Sequence, residues 1–85
     1  MKKTILYFSA DWCGPCKTTL PNVNKVTNKY KVPLEIHDID SEYDLAIQYN
    51  VCQVPTMVKL INDSEVARMY GAQTLYAIDK FVSTD

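Results

Sequence analysis

A chain of 85 residues, 47% hydrophobic and 22% charged, holds one globular core and leaves no room for two of ordinary size. Nine Lys plus Arg against ten Asp plus Glu give a net charge of −1, which excludes the basic footprint of a nucleic-acid or anionic-membrane binder. Three cysteines are an odd number, so a fully paired disulfide scaffold of the secreted kind is excluded as well.

Ile5-Leu6-Tyr7-Phe8 is a continuous β-prone run, the pattern of a strand buried on both faces. The lysines ahead of it imitate a signal peptide. Asp11 breaks the apolar part at once, however, and no small-residue cleavage site follows before Trp12. Asp11 to Cys16 reads as a turn, with Pro15 suited to the first turn of a helix. Cys16, Leu20, Val23, Val26 and Tyr30 then recur at helical spacing, and Pro21 within that pattern should bend it. Leu34 to Ile39 predicts a second strand, and Asp40 and Ser41 offer caps for a short helix over Tyr43 to Tyr49.

Pro55 introduces a third strand, Thr56 to Ile61, and Asn62-Asp63-Ser64 predicts a hairpin turn into Glu65 to Tyr70. Gly71 ends that strand. Thr74 caps a last helix carrying Leu75, Ile78, Phe81 and Val82. The order β-α-β-α-β-β-α, with a right-handed crossover in its first half, predicts an α/β fold: a four-stranded mixed sheet with helices on both faces. Residues 1–85 are expected to form a single domain, monomeric and cytoplasmic, with no membrane or nucleic-acid partner.

Cys13 and Cys16 stand two residues apart where a strand meets a helix. There Cys13 should face unpaired backbone N–H groups and the positive end of the helix dipole, which favours its thiolate. Cys16 lies one turn in, on the apolar face, where burial keeps its thiol protonated. Cys13 is therefore expected to be an exposed nucleophile that attacks a substrate disulfide, and Cys16 the thiol that resolves the mixed disulfide. Gly14 and Pro15 allow the turn and tune the couple. A zinc site from Cys13, Cys16, His37 and Cys52 is the competing reading, disfavoured because Cys52 is alone and His37 sits mid-strand. His37 reads as a surface residue, and Tyr43 and Tyr49 as helix packing. Cys52 reads either as a semi-buried loop residue or as an exposed, regulatory thiol.

Trp12-Cys13-Gly14-Pro15-Cys16-Lys17, Pro21, Ile39-Asp40, Val54-Pro55-Thr56 and Gly71-Ala72 together resemble the thioredoxin family, in order and over nearly the whole chain. By this resemblance the chain is expected to lack the family's extra N-terminal strand and helix and to form a core of glutaredoxin length. The resemblance implies a thioredoxin-like fold and a protein disulfide reductase with no bound cofactor beyond a redox-active Cys13–Cys16 disulfide. It also implies recharging by an NADPH-dependent thioredoxin reductase. A cis Val54–Pro55 bond is expected from it, as is a substrate groove of Trp12, Val54, Pro55, Gly71 and Ala72.

Two alternatives stay open beside that reading. One is a glutathione-coupled, glutaredoxin-like oxidoreductase. The other is a non-catalytic subunit that binds a partner through Trp12, Val54 and Ala72. The chain also departs from the family: Tyr7 stands where a buried Asp is usual, and Ile36 where a lysine usually faces it. A phenol, with a pKa of about 10, is a poor base at neutral pH, so Tyr7 is read as a hydrogen-bond donor behind the site.

Overall fold

The computed structural model describes residues 1–85 and carries the expected element order. It runs β1 (Lys3–Ser9), α1 (Gly14–Tyr30), β2 (Leu34–Asp38), α2 (Tyr43–Gln48), β3 (Thr56–Ile61), β4 (Ser64–Tyr70) and α3 (Leu75–Ser83). The strands lie in the order β2-β1-β3-β4. β1 pairs parallel with β2 and antiparallel with β3, and β4 pairs antiparallel with β3. The mixed sheet is as expected.

β1 is buried from Thr4 to Phe8 because it is central and covered on both sides. Its side chains alternate. Ile5 and Tyr7 meet Val23 and Val26 of α1, Met57 of β3, and Ile78, Phe81 and Val82 of α3. Leu6 and Phe8 point the other way, with Val58 and Leu60, toward Leu45, Tyr49, Val51 and Val54. Burial of each large apolar side chain in these clusters contributes about 1.5–3 kcal/mol relative to exposure.

The two faces are unequally covered. α1 and α3 each bury several side chains, whereas α2 buries only Ala46. Tyr43, expected to pack, is 65% exposed on this short helix; Tyr49 does pack, its ring 5.8 Å from that of Phe8. The N-cap of α2 is Glu42 and makes no side-chain cap bond, so the expected caps Asp40 and Ser41 are corrected. Their backbone N–H groups bond instead to the carboxylate of Asp38, at 2.8 and 3.2 Å. Glu42 turns back to Nδ1 of His37 at 3.0 Å, while Glu35 meets Nε2 at 3.0 Å. His37 is thus half-buried between two carboxylates and beside the Phe8 ring, not a plain surface residue.

α1 runs through Pro21 without interruption. Its buried stripe includes Thr27, whose hydroxyl donates to the Val23 carbonyl at 2.9 Å. Tyr30 leaves the stripe and donates its phenol proton to Asp79 at 2.6 Å, and Lys29 reaches the same carboxylate at 2.8 Å. These two bonds tie the end of α1 to α3. The hairpin turn is Asn62-Asp63, both at positive φ (51° and 69°), a conformation that Asn and Asp tolerate. Ser64, placed in the turn by the sequence, already pairs with Ile61.

A buried cation was not foreseen. Lys59 of β3 donates from Nζ to the carbonyls of Phe81 (2.8 Å) and Thr84 (2.7 Å), so a strand lysine caps the C-terminus of α3. Burial, reinforced by the charge of Lys3, lowers its pKa.

The two faces predict contrasting substitutions. Ile78→Ala, at a fully buried position, should lower stability by about 3 kcal/mol. Tyr43→Ala should stay within about 0.5 kcal/mol of the parent. Urea unfolding midpoints check both.

Candidate active site

Strand register assembles the site. β1 and β2 are parallel and end opposite each other at Ser9 and Asp38, so Ala10–Cys13 and Ile39–Asp40 leave the sheet at one edge. β3 runs antiparallel to β1 and starts at Thr56 opposite Phe8, which brings Val54 and Pro55 to the same edge. β4 ends there too, at Tyr70 opposite Thr56, so Gly71 and Ala72 follow. Segments distant in sequence therefore converge beside the first turn of α1.

Cys13 is the N-cap of α1 and Cys16 lies in its first turn. The two are joined as a disulfide with Cα atoms 5.3 Å apart. The Cys16 N–H donates to Sγ of Cys13 at 3.1 Å, and the Cys13 N–H donates to the Ala10 carbonyl at 3.1 Å. A first-turn N–H aimed at Sγ of Cys13 is the arrangement that stabilises a thiolate there once the bond is reduced.

Ala10, Cys13 and Cys16 form one small cluster packed against Ile39 and Val54. Cys13 is only 5% exposed in the disulfide form and Cys16 1%, so the expected contrast of an exposed and a buried sulfur is corrected. The N-cap sulfur is drawn down against its neighbours by the disulfide and by the Cys16 amide. Gly14 is corrected as well. Its φ lies outside the left-handed region and a Cβ there would meet nothing within 4 Å, so the turn itself does not require glycine.

The Val54–Pro55 peptide bond is cis, as expected. Pro55 is buried, and its carbonyl accepts the Gly71 N–H at 2.8 Å. Gly71, at φ +75°, and the exposed Ala72 thus join the site through Pro55. Trp12 is 68% exposed, and its indole N–H donates to Oδ2 of Asp40 at 2.9 Å. Sequence reasoning treated Asp40 as a helix cap and missed this bond. The parallel pairing of β1 and β2 was the available signal, since it delivers whatever follows each strand to the same place.

Beneath the pair, Tyr7 is fully buried and donates its phenol proton to the Cys16 carbonyl at 2.7 Å. Burial pushes its pKa up to about 12. Ile36, its register partner on β2, is half exposed at the sheet edge. Cys52 is a free, exposed thiol, so of its two readings the semi-buried one is corrected. No three His, Cys, Asp or Glu side chains are grouped to hold a metal ion; the zinc reading therefore has no geometry behind it. No helix is long and apolar enough to cross a membrane.

The thioredoxin family model matches residues 1–84. The chain is similar to the mitochondrial thioredoxin of Bos taurus, 36% identical over 80 residues that cover 92% of this chain and 48% of the relative. It is likewise similar to the thioredoxin of Mycoplasma genitalium, 35% identical over 71 residues that cover 82% and 70%. A mutant thioredoxin from Halobacterium salinarum superposes with a TM-score of 0.90 at 30% identity, covering 95% of this chain and 72% of the other. A reduced thioredoxin pre-protein of Schistosoma mansoni gives 0.88 at 30%, covering 95% and 76%. The chain spans about half the length of the mitochondrial relatives it matches.

Two measurements check this geometry. In the oxidised protein, maleimide should add once, at Cys52, and at all three cysteines after reduction and unfolding; mass spectrometry counts the adducts. Asp40→Ala should free the indole of Trp12, the only tryptophan, and lower its fluorescence anisotropy, while stability changes by less than about 1 kcal/mol.

Proposed function

The chain belongs to the thioredoxin family, and from that premise we propose that it reduces protein disulfides by dithiol–disulfide exchange through Cys13 and Cys16. One observation carries the reading: the two cysteines close a disulfide at the start of α1, with the Cys16 amide donating to the Cys13 sulfur.

In the reduced protein the Cys13 thiolate attacks one sulfur of the substrate disulfide. A Cys13–substrate bond forms, and the other substrate sulfur leaves as a thiolate that takes a proton from solvent. Cys16 then attacks Sγ of Cys13. Its own proton goes to solvent or to the departing sulfur, the second substrate thiol is released, and the Cys13–Cys16 disulfide is left. Two electrons pass to the substrate. Cys13 is 5% exposed in the disulfide form and packs against Val54, with the exposed Trp12 next to it in the chain, so the substrate must bring an exposed disulfide to this edge. Trp12, Val54, Pro55, Gly71 and Ala72 form the docking rim in this reading, and the bond to Asp40 limits the swing of Trp12.

The oxidised form needs an external two-electron donor, and the family resemblance favours an NADPH-dependent thioredoxin reductase over glutathione. The single glycine of Tyr70-Gly71-Ala72 supports that preference, since glutaredoxins carry a pair there for glutathione. An exposed free thiol at Cys52 suits a reducing compartment such as the cytoplasm. The 85 residues would act as one monomeric domain.

Cys13→Ser should abolish insulin reduction, whereas Cys16→Ser should accumulate mixed disulfides visible on non-reducing gels. Trapping by Cys13→Ser instead reverses the two roles. Turnover with glutathione and glutathione reductase, but not with thioredoxin reductase, favours the glutaredoxin-like reading. A partner still captured by the Cys13→Ser/Cys16→Ser double variant indicates a binding subunit.

A further inference from the structure

We propose that Tyr7 is a positioning residue for the resolving step, holding Cys16 by its carbonyl while the proton of the Cys16 thiol goes to solvent or to the departing sulfur and not to the phenol. The proposal rests on the dithiol reading above.

β1 grips the cysteine loop at both ends. At its exit, the Ala10 carbonyl accepts the Cys13 N–H at 3.1 Å. Three residues earlier, the Tyr7 hydroxyl donates to the Cys16 carbonyl at 2.7 Å. The phenol ring that carries this hydroxyl packs among Ile5, Val23, Val26 and Met57, all essentially unexposed, so the donor cannot swing away. A hydrogen bond made from so fixed a group locates the residue that accepts it. Cys16 is thereby referenced to the same rigid strand as Cys13, and the two sulfurs meet at disulfide distance with little left to chance.

The chemistry of the hydroxyl points the same way. It gives its proton to a carbonyl, and burial raises its pKa to about 12, so the phenol stays protonated at neutral pH and offers Cys16 no base. No Asp or Glu is among the buried residues, so no buried carboxylate stands beside Cys16. The step then balances without the protein's help. Cys16 Sγ bonds to Cys13 Sγ, the Cys13–substrate bond breaks, the substrate sulfur takes the electron pair, and the Cys16 proton goes to solvent or, where the leaving sulfur is basic enough, to that sulfur. Rate comes from placement.

The test uses the full chain, reduced, and a chromogenic aromatic disulfide that releases one coloured thiolate when Cys13 attacks and a second when Cys16 resolves. With the parent protein both phases should be seen; a missing second phase would overturn the dithiol reading itself. Tyr7→Phe should leave the first phase unchanged and slow the second about tenfold, the size expected for one buried hydrogen bond. The factor should be the same from about pH 6 to about pH 9, because a positioning group does not titrate there. The reduction potential of the Cys13–Cys16 couple should rise, since a less well placed Cys16 closes the disulfide less readily. Site-specific 3-fluorotyrosine at position 7, which keeps the donor and lowers the phenol pKa, should restore the parent rate. It also serves if Tyr7→Phe folds poorly. Parent-like second phase and potential in a folded Tyr7→Phe would overturn the assignment. So would a loss that changes with pH, or a 3-fluorotyrosine protein with an altered pH profile.

Discussion

The double-sided burial of β1 is the constraint on which the remaining structure depends. A strand covered on both faces has one register available, because a slip of one residue would send Tyr7 toward α2 and Phe8 toward α1 and α3. Once that register is set, the ends of β2 and β4 and the start of β3 fall at a single edge. The cysteines, the cis-proline segment, Asp40 and Gly71 have no other place to go. Ligand sites at the strand ends of α/β sheets have this origin in general, and here it is carried by a sheet of only four strands.

Covering of the two faces is unequal, and the difference is one of chemistry as much as area. The side under α1 and α3 is closed by aliphatic and aromatic packing and by the shared Asp79 bonds from Lys29 and Tyr30. The α2 side depends more on polar ties: Arg68 donates to the Tyr49 carbonyl at 2.8 Å, and Glu42 reaches back to His37. Few buried apolar contacts mean a lower free energy of local opening. Ile39 and Val54 belong to both the α2-side packing and the cysteine cluster, so the site sits where the firmly packed half meets the looser one. Cys13 and Cys16 themselves are anchored to the firm half, through β1 and α1.

Tyr7 replaces the buried carboxylate that the family usually carries, and the replacement is self-consistent. An ionised group here would need a partner to offset a desolvation cost of several kcal/mol. Ile36 on the neighbouring strand offers none. A phenol fills the space with apolar ring and makes one directed hydrogen bond, so no buried side-chain nitrogen or oxygen is left unsatisfied. A titrating group behind the cysteines has been exchanged for a fixed donor.

The sequence by itself determined the element order, the element boundaries to within about two residues, the central strand, the cysteine pair and the cis proline. Each rests on local information: hydrophobic period, turn chemistry, or a family motif that survives as contiguous residues. Only the tertiary structure decided which groups meet. That Asp40 holds Trp12 instead of capping α2, that Cys13 is nearly covered, and that Lys59 reaches across to end α3 all depend on pairs of residues far apart in the chain. The same holds for the exposure of Tyr43 and Cys52 and for the pairing of His37. Burial and partner choice are set by the packing of whole elements, and a residue's own neighbours in sequence carry little of that. Tyr7 lies between the two cases. Its type announced a donor, but only the fold could aim the hydroxyl at the carbonyl of Cys16.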